Sequence, residues 1–205
     1  MASRLDIYNG ALRLLGDARL ESLDEVGSAR ERLDDAWVPS VTTMLECGMW
    51  NFAIRTIELP YDIDVEPLFG YRYAFSKPDD YVRTVNIAQE PTFSEGYEHY
   101  EDETSHWHAD VDPLYIRYVS SDEAYGWNIG AWRQAFCTAL EALLAFNTGL
   151  PISGDRGNRN DMFQLYQNSL ARAKTLDAVD ERVKHKPMGR LVRSRLQSGS
   201  RRYRG

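Results

Sequence analysis

The chain contains little of what secreted and membrane proteins rely on. It has two cysteines, Cys47 and Cys137, among 205 residues. These are too few for a disulfide framework, and both lie in helix-like apolar contexts typical of reduced, structural cysteines. No apolar run approaches the roughly 18–20 residues that a transmembrane helix needs. The opening MASRLDIYNG lacks the basic-then-apolar layout of a secretory signal. We therefore expect a protein made in the cytoplasm, with no membrane partner.

Sequence motifs for nucleotide binding and nucleophilic catalysis are missing as well. The Gly-containing fragment at 154–157 has no strand before it and no Lys/Ser ending, so it is not a phosphate-binding loop. No Gly-x-Ser-x-Gly elbow occurs, and neither cysteine has a histidine nearby in the sequence. We expect no catalytic residue, no enzyme activity and no cofactor.

Acidic residues are absent from the end of the chain. No Asp or Glu follows Glu181, whereas residues 184–205 hold eight of the 24 basic residues. The first 183 residues contain 16 basic and 31 acidic residues, a net charge of −15 against +8 in the remainder. We call 184–205 the basic arm; it is rich in Gly and Ser and is expected to become ordered only on a partner. Its candidate partner-binding residues are Lys184, Lys186, Arg190, Arg193, Arg195, Arg201, Arg202, Tyr203 and Arg204.

The basic arm admits three interpretations. It binds the phosphates of a nucleic acid, it enters an acidic groove on a protein partner, or it has no partner at all. The acidic body repels nucleic acid beyond the reach of the arm. Tyr203 is its single aromatic residue, so the stacking pattern of single-strand binders is absent. A protein partner is therefore favoured.

Apolar periodicity predicts four helices, at about 3–15, 28–47, 128–148 and 158–183. Ser3 is expected to cap the first helix and Gly16 to end it. Asn128 is expected to cap the third helix and Gly149 to end it. Pro39 lies inside the second helix and predicts a kink or a restart there.

The region between the second and third helices, at about 51–119, has the pattern of short strands. Six segments alternate apolar and polar residues, with turns at 76–80 and 102–103. They predict an antiparallel meander that includes a hairpin. The expected fold is α+β: a four-helix bundle with a β-meander/hairpin insert between helices 2 and 3, forming a body at 1–183, followed by the extended basic arm.

His106 and His108 are the best candidates for metal ligands. Residues two apart in a strand share a face, so both imidazoles point one way with Trp107 opposite. His99, Asp110 and Asp112 are further potential ligands. The spacing matches no closed metal site, however, and a polar outer face of a hairpin with Trp107 inward is the favoured interpretation. We therefore predict no metal.

Several segments, taken in order, resemble the head-to-tail adaptor proteins of short-tailed bacteriophages, also called tail tubular protein A. The resemblance covers about residues 3–180 and depends on order and spacing, because each motif alone is weak. Pro39 and the acidic, histidine-containing hairpin at 97–108 depart from the family pattern. The matching segments are LLG at 14–16, LESLDE at 20–25, LECGMWNFA at 45–53, YRYAFSKPDDYVR at 71–83, LYIRYV at 114–119 and GLPI at 149–152.

The resemblance implies a structural virion protein at the head–tail interface. Copies are expected to form a ring, as a dodecamer, beneath the portal protein. The basic arm is expected to bind the portal. A helical part surrounds the DNA channel and a β-rich part meets the downstream tail (nozzle) protein. DNA passes without specific binding, because an acidic channel repels it. The alternatives are a nucleic-acid-binding or DNA-packaging accessory that uses the basic arm, and a metal-dependent enzyme at His106 and His108.

Overall fold

The computed structural model describes residues 2–67, 70–153 and 156–180. It is an α+β protein in which two helices precede six strands and two helices follow them. Short 3-10 turns at Asn51–Ala53 and Ile129–Ala131 enter and leave the β region. The four helices are α1 (Arg4–Leu15), α2 (Ser28–Cys47), α3 (Gln134–Ser153) and α4 (Arg156–Val179).

Helix α1 begins and ends where its local sequence dictates. The Ser3 hydroxyl accepts a hydrogen bond from the Asp6 backbone N–H at 3.2 Å, and the Asp6 carboxylate accepts one from the Ser3 N–H at 3.0 Å. This reciprocal pair satisfies two backbone donors that the first turn leaves open. Gly16 follows in the left-handed conformation, with φ of 72°, which glycine adopts without strain. Both predicted ends are confirmed.

Helix α2 runs continuously through Pro39, so the expected restart is absent. Proline removes one backbone donor and deprives the carbonyl of Asp35 of its helical partner. Asp35 and Pro39 are both exposed, so water can hydrate that carbonyl. The carbonyl of Pro39 in turn accepts a hydrogen bond from the Thr43 hydroxyl at 2.8 Å.

The third helix differs from its prediction at both ends. It starts at Gln134, and Asn128 makes no side-chain cap but precedes the short 3-10 turn instead. It also continues past Gly149 and ends at Ser153. A β-carbon at Gly149 would lie 3.2 Å from a methyl of Leu15. Glycine at this position therefore serves close packing against α1 rather than helix termination.

The predicted four-helix bundle with a β-meander insert is wrong. Helices α1, α2 and α4 each pack on α3, which lies at the centre of the helical part. A bundle helix buries one stripe, but α3 buries consecutive residues around its circumference. The buried residues of its central turns are Ala139, Leu140, Glu141, Ala142, Leu143, Leu144 and Ala145.

The six strands form two antiparallel sheets rather than one meander. The first sheet has the order β1-β6-β3 and the second has the order β2-β5-β4. Strand β6 is central because it pairs with β1 along one edge and with β3 along the other. The strands are β1 (Ile54–Leu59), β2 (Tyr73–Ser76), β3 (Tyr81–Ala88), β4 (Tyr100–Asp102), β5 (His106–Ala109) and β6 (Leu114–Ser120).

The first sheet lies between two hydrophobic cores. Val119 on β6 belongs to the helical core, together with Trp50 and Phe136. Ile116 on the opposite face of β6 packs with Trp107 of the second sheet in a separate core. Helices, first sheet and second sheet are therefore stacked as three layers, with a different surface at each end.

Candidate functional site

The residues predicted to bind a partner lie outside the described part of the chain. All nine fall within the basic arm at 184–205, and the description ends at residue 180. Their role remains a prediction from sequence.

His106 and His108 share one face of β5, as their spacing predicted, and Trp107 is fully buried on the other. Their rings are 6.2 Å apart. Nε2 of His108 lies 3.3 Å from a carboxylate oxygen of Glu103, while Nδ1 of His106 contacts the Ser105 hydroxyl at 3.0 Å in an exposed turn. Within the described ranges, no three His, Cys, Asp or Glu side chains are placed to hold a metal ion.

A lysine fixes the hairpin that carries these histidines. The Lys77 ammonium donates to the Asp102 carboxylate and to the Glu103 carbonyl, both at 2.5 Å. The same ammonium lies 4.2 Å from the centroid of the Tyr81 ring. The side chain of Lys77 is only 7% exposed, and its charge is satisfied by these groups. It is therefore a structural cation that joins β2, β3 and the β4–β5 hairpin.

Asp80 is the main polar junction of the first sheet. Its carboxylate accepts hydrogen bonds from Tyr118 at 3.0 Å, from the Ser120 hydroxyl, and from Arg55 at 3.0 Å. Burial raises the pKa of Asp80, but these three hydrogen bonds together outweigh burial and bring the pKa below its ordinary value. The backbone carbonyl of Asp80 accepts a further hydrogen bond from the N–H of Ser121 at 2.8 Å. The carboxylate thus ties β1 to β6 just before β3 begins.

Sequence reasoning missed Glu141, a buried carboxylate at the crossing of α1 and α3. It is 8% exposed and lines an open groove with Gly10, Arg13 and Gln134. Burial raises its pKa, and the positive charge of Arg13 partly opposes that effect. The sequence feature that could have indicated a buried carboxylate is the single charged residue within the apolar stretch at 135–146, AFCTALEALLAF.

Several large apolar side chains are exposed and separate from these polar clusters. Val26 at 90%, Ile63 at 83% and Val179 at 75% are the most exposed of the described apolar residues. Val26 precedes α2, Ile63 follows β1, and Val179 ends α4, so they lie on three different elements. Isolated exposed apolar residues of this kind are ordinary on protein surfaces and define no single docking patch.

The comparisons with known proteins add no family assignment. Neither the scan against protein-family models nor the search of curated proteins finds a match for this chain. Among the described helices, none is both long and apolar enough to cross a bilayer.

Proposed function

We propose that this protein is a structural virion protein, a head-to-tail adaptor that joins the portal ring to the tail of a short-tailed bacteriophage. Copies assemble as a ring around the channel through which DNA passes. By analogy with the family that the sequence resembles, the ring is a dodecamer. The basic arm binds the portal protein, and the β-rich end meets the downstream tail protein. The role requires no catalysis and no cofactor.

The observation that carries this proposal is the separation of a helical core from a β core. A connector contacts different partners at its two ends, and each end must keep its shape while the other is engaged. The helical core is built around α3, and the second core is built between the two sheets. Two independent cores support such a division of contacts.

The resembling segments also supply the residues that hold the layers together. Trp50, from the segment at 45–53, packs edge-on against Phe136 of α3 at 4.9 Å. Asp80, from the segment at 71–83, ties β1 to β6. These two segments therefore supply contacts within the described fold.

The charge distribution fits the same role. A body with a net charge of −15 repels DNA and lets it slide, whereas an arm of +8 is suited to an acidic groove on another protein. We expect a chain without the arm to keep its fold, because the described residues up to 180 already form a helical core and a β core. Folding and docking are therefore separable in experiment.

We expect the full chain to load onto the portal ring of the same phage in a fixed multiple, and a chain truncated after Val183 not to load. The measurement is native mass spectrometry of the portal ring mixed with each chain. A full-length variant has the eight Lys and Arg residues of the arm changed to glutamine. It distinguishes the effect of losing the positive charge from the effect of losing the segment. It is expected to fail like the truncated chain, because the arm is held by its charge.

Two outcomes would contradict parts of the proposal. A truncated chain that still loads with the same stoichiometry removes the arm from the portal interface. If neither chain loads, while the full chain binds DNA with an affinity that falls steeply with salt, the protein is a nucleic-acid-binding or packaging accessory instead.

A further inference from the structure

The crossing of α1 and α3 leaves an open groove of about 760 Å³ on the surface of the helical part. Gly10 and Arg13 of α1 form one wall, and Gln134 and Glu141 of α3 form the other. Asp6, Asp17 and Arg19 also line the groove. The groove is lined mainly by polar and charged residues, unlike the apolar pockets that bind most small organic ligands.

Glu141 is buried in the floor of this groove in a space that a missing side chain provides. A β-carbon placed on Gly10 would lie 2.3 Å from the carboxyl carbon of Glu141 and 2.5 Å from one of its oxygens. No side chain other than hydrogen therefore fits at position 10 without displacing the carboxylate. The sequence thus has glycine where a helix interior would otherwise favour alanine.

The carboxylate of Glu141 has one weak ion-pair partner, where a buried charge normally has a close ion pair and several hydrogen bonds. It accepts no hydrogen bond from any residue in the described part of the chain. The nearest cation is the guanidinium of Arg13, at 3.5 Å, beyond the 2.7–2.9 Å typical of a charge-assisted hydrogen bond. The side chain of Arg13 is 76% exposed and reaches in from the rim. Buried carboxylates are usually paired and hydrogen-bonded, so this one has capacity for a further donor.

We propose that the groove is a subsite for one guanidinium side chain of a partner protein, with Glu141 as its counter-ion. A guanidinium presents parallel N–H donors that match both oxygens of a carboxylate. The carboxamide of Gln134 is a further acceptor in the lining of the same groove. Among the described residues, no three ligating side chains are grouped as a metal site would require. Around the subsite, Asp6 and Asp17 carry negative charge and Arg13 and Arg19 carry positive charge, a mixed polar surround of the kind that protein interfaces have.

This subsite does not depend on the adaptor role, since its argument uses only α1 and α3. Its test therefore uses a small probe rather than the portal. The full chain is titrated with N-acetyl-arginine amide while backbone amide signals are followed by NMR. N-acetyl-citrulline amide, which has the same shape without the charge, is the matched control ligand. We expect saturable shifts centred on Gly10 and Glu141 with the arginine compound, with a Kd on the order of 1 mM, and at least tenfold weaker binding of citrulline.

Three variants test the assignment of the counter-ion. Glu141→Gln keeps the shape of the side chain and is expected to weaken arginine binding at least tenfold. Glu31→Gln, at an exposed position of α2, is the control and is expected to leave binding unchanged. Arg13→Gln is expected to tighten binding severalfold, because the competing guanidinium is removed.

Each alternative result overturns a stated part of the proposal. Equal binding of arginine and citrulline compounds, or unchanged binding in a folded Glu141→Gln chain, excludes a guanidinium subsite at Glu141. Free L-arginine serves as a further arm, because its own carboxylate should be repelled by Glu141. If free L-arginine binds more tightly than the capped compound, the groove takes an amino acid and not the side chain of a partner protein.

Discussion

Replacing Asp80 with alanine is expected to lower the free energy of unfolding by about 3 kcal/mol, because a buried network loses its common acceptor. Tyr118 and Ser120 donate to this carboxylate from β6, and Arg55 donates from β1. Alanine would leave two hydroxyl groups without an acceptor in a region that water hardly reaches. Urea unfolding followed by circular dichroism measures the change as a lower midpoint at an unchanged slope.

The neighbouring aspartate provides a matched control for this prediction. Asp79 is exposed and makes no hydrogen bond or ion pair with the described residues. Asp79→Ala is therefore expected to change the free energy of unfolding by less than about 0.5 kcal/mol. Asp80→Asn keeps an acceptor but loses the charge, and its loss should fall between those of the two alanine variants. Equal losses for Asp79→Ala and Asp80→Ala would contradict the assigned role.

The contribution of Asp80 to the free energy of unfolding is also expected to depend on pH. Its pKa in the folded protein lies below the ordinary value of about 4 that it has in the unfolded chain. The charged carboxylate therefore contributes its full stabilisation above about pH 4, and the contribution is lost as the pH falls through the folded pKa. The difference in unfolding free energy between the natural chain and Asp80→Ala should shrink from pH 7 towards pH 3. A constant difference over this range would mean that the charge contributes nothing.

Replacing Trp50 with alanine is expected to lower the free energy of unfolding by about 3–5 kcal/mol, the usual cost of removing a buried tryptophan. Trp50 is 2% exposed, and its indole N–H donates to the carbonyl of Met44 at 2.6 Å. Its ring also packs edge-on against Phe136. The residue therefore joins the end of α2 to α3. Thermal unfolding should shift downward by about 10 °C, since each kcal/mol corresponds to about 2–4 °C in a chain of this size.

Two further variants separate the packing of Trp50 from a general effect of losing an aromatic ring. Trp127 is partly buried beside the same core, and Trp127→Ala is expected to cost less than half as much. A β-carbon at Gly48 would lie 2.7 Å from the Trp50 ring, so Gly48→Ala should force the indole out of place. We expect that overpacking to cost about 1–3 kcal/mol. If Trp50→Ala and Trp127→Ala were equally mild, the packing of Trp50 would not be a main contributor to stability.

The features predicted correctly from sequence are those that nearby residues decide. Ser3 caps α1 through a contact three residues away, and Gly16 ends it through its own backbone conformation. The two histidines of β5 share a face because a strand has a period of two. All of these depend on geometry within a few residues, which a sequence displays directly.

The errors concern features that distant residues decide. For Pro39 the prediction was a kink or a restart, and only the restart is excluded, because α2 continues from Ser28 to Cys47. Gly149 resembles a terminator, yet α3 continues because it is packed between α1, α2 and α4. At Gly149, tertiary burial outweighs a local cost of about 1 kcal/mol for glycine in a helix interior.

The sequence by itself determined the class of fold, the positions of two helices and six strands, the termini of α1 and the charge contrast between body and arm. Only the tertiary structure decided that β6 is the centre of a sheet, that the strands divide into two layers and that α3 is enclosed by the other helices. It alone brought the carboxylate of Glu141 against Gly10, 131 positions earlier in the chain. The physical reason is that strand pairing and helix packing depend on which surfaces are buried together, and that burial is a property of the whole chain.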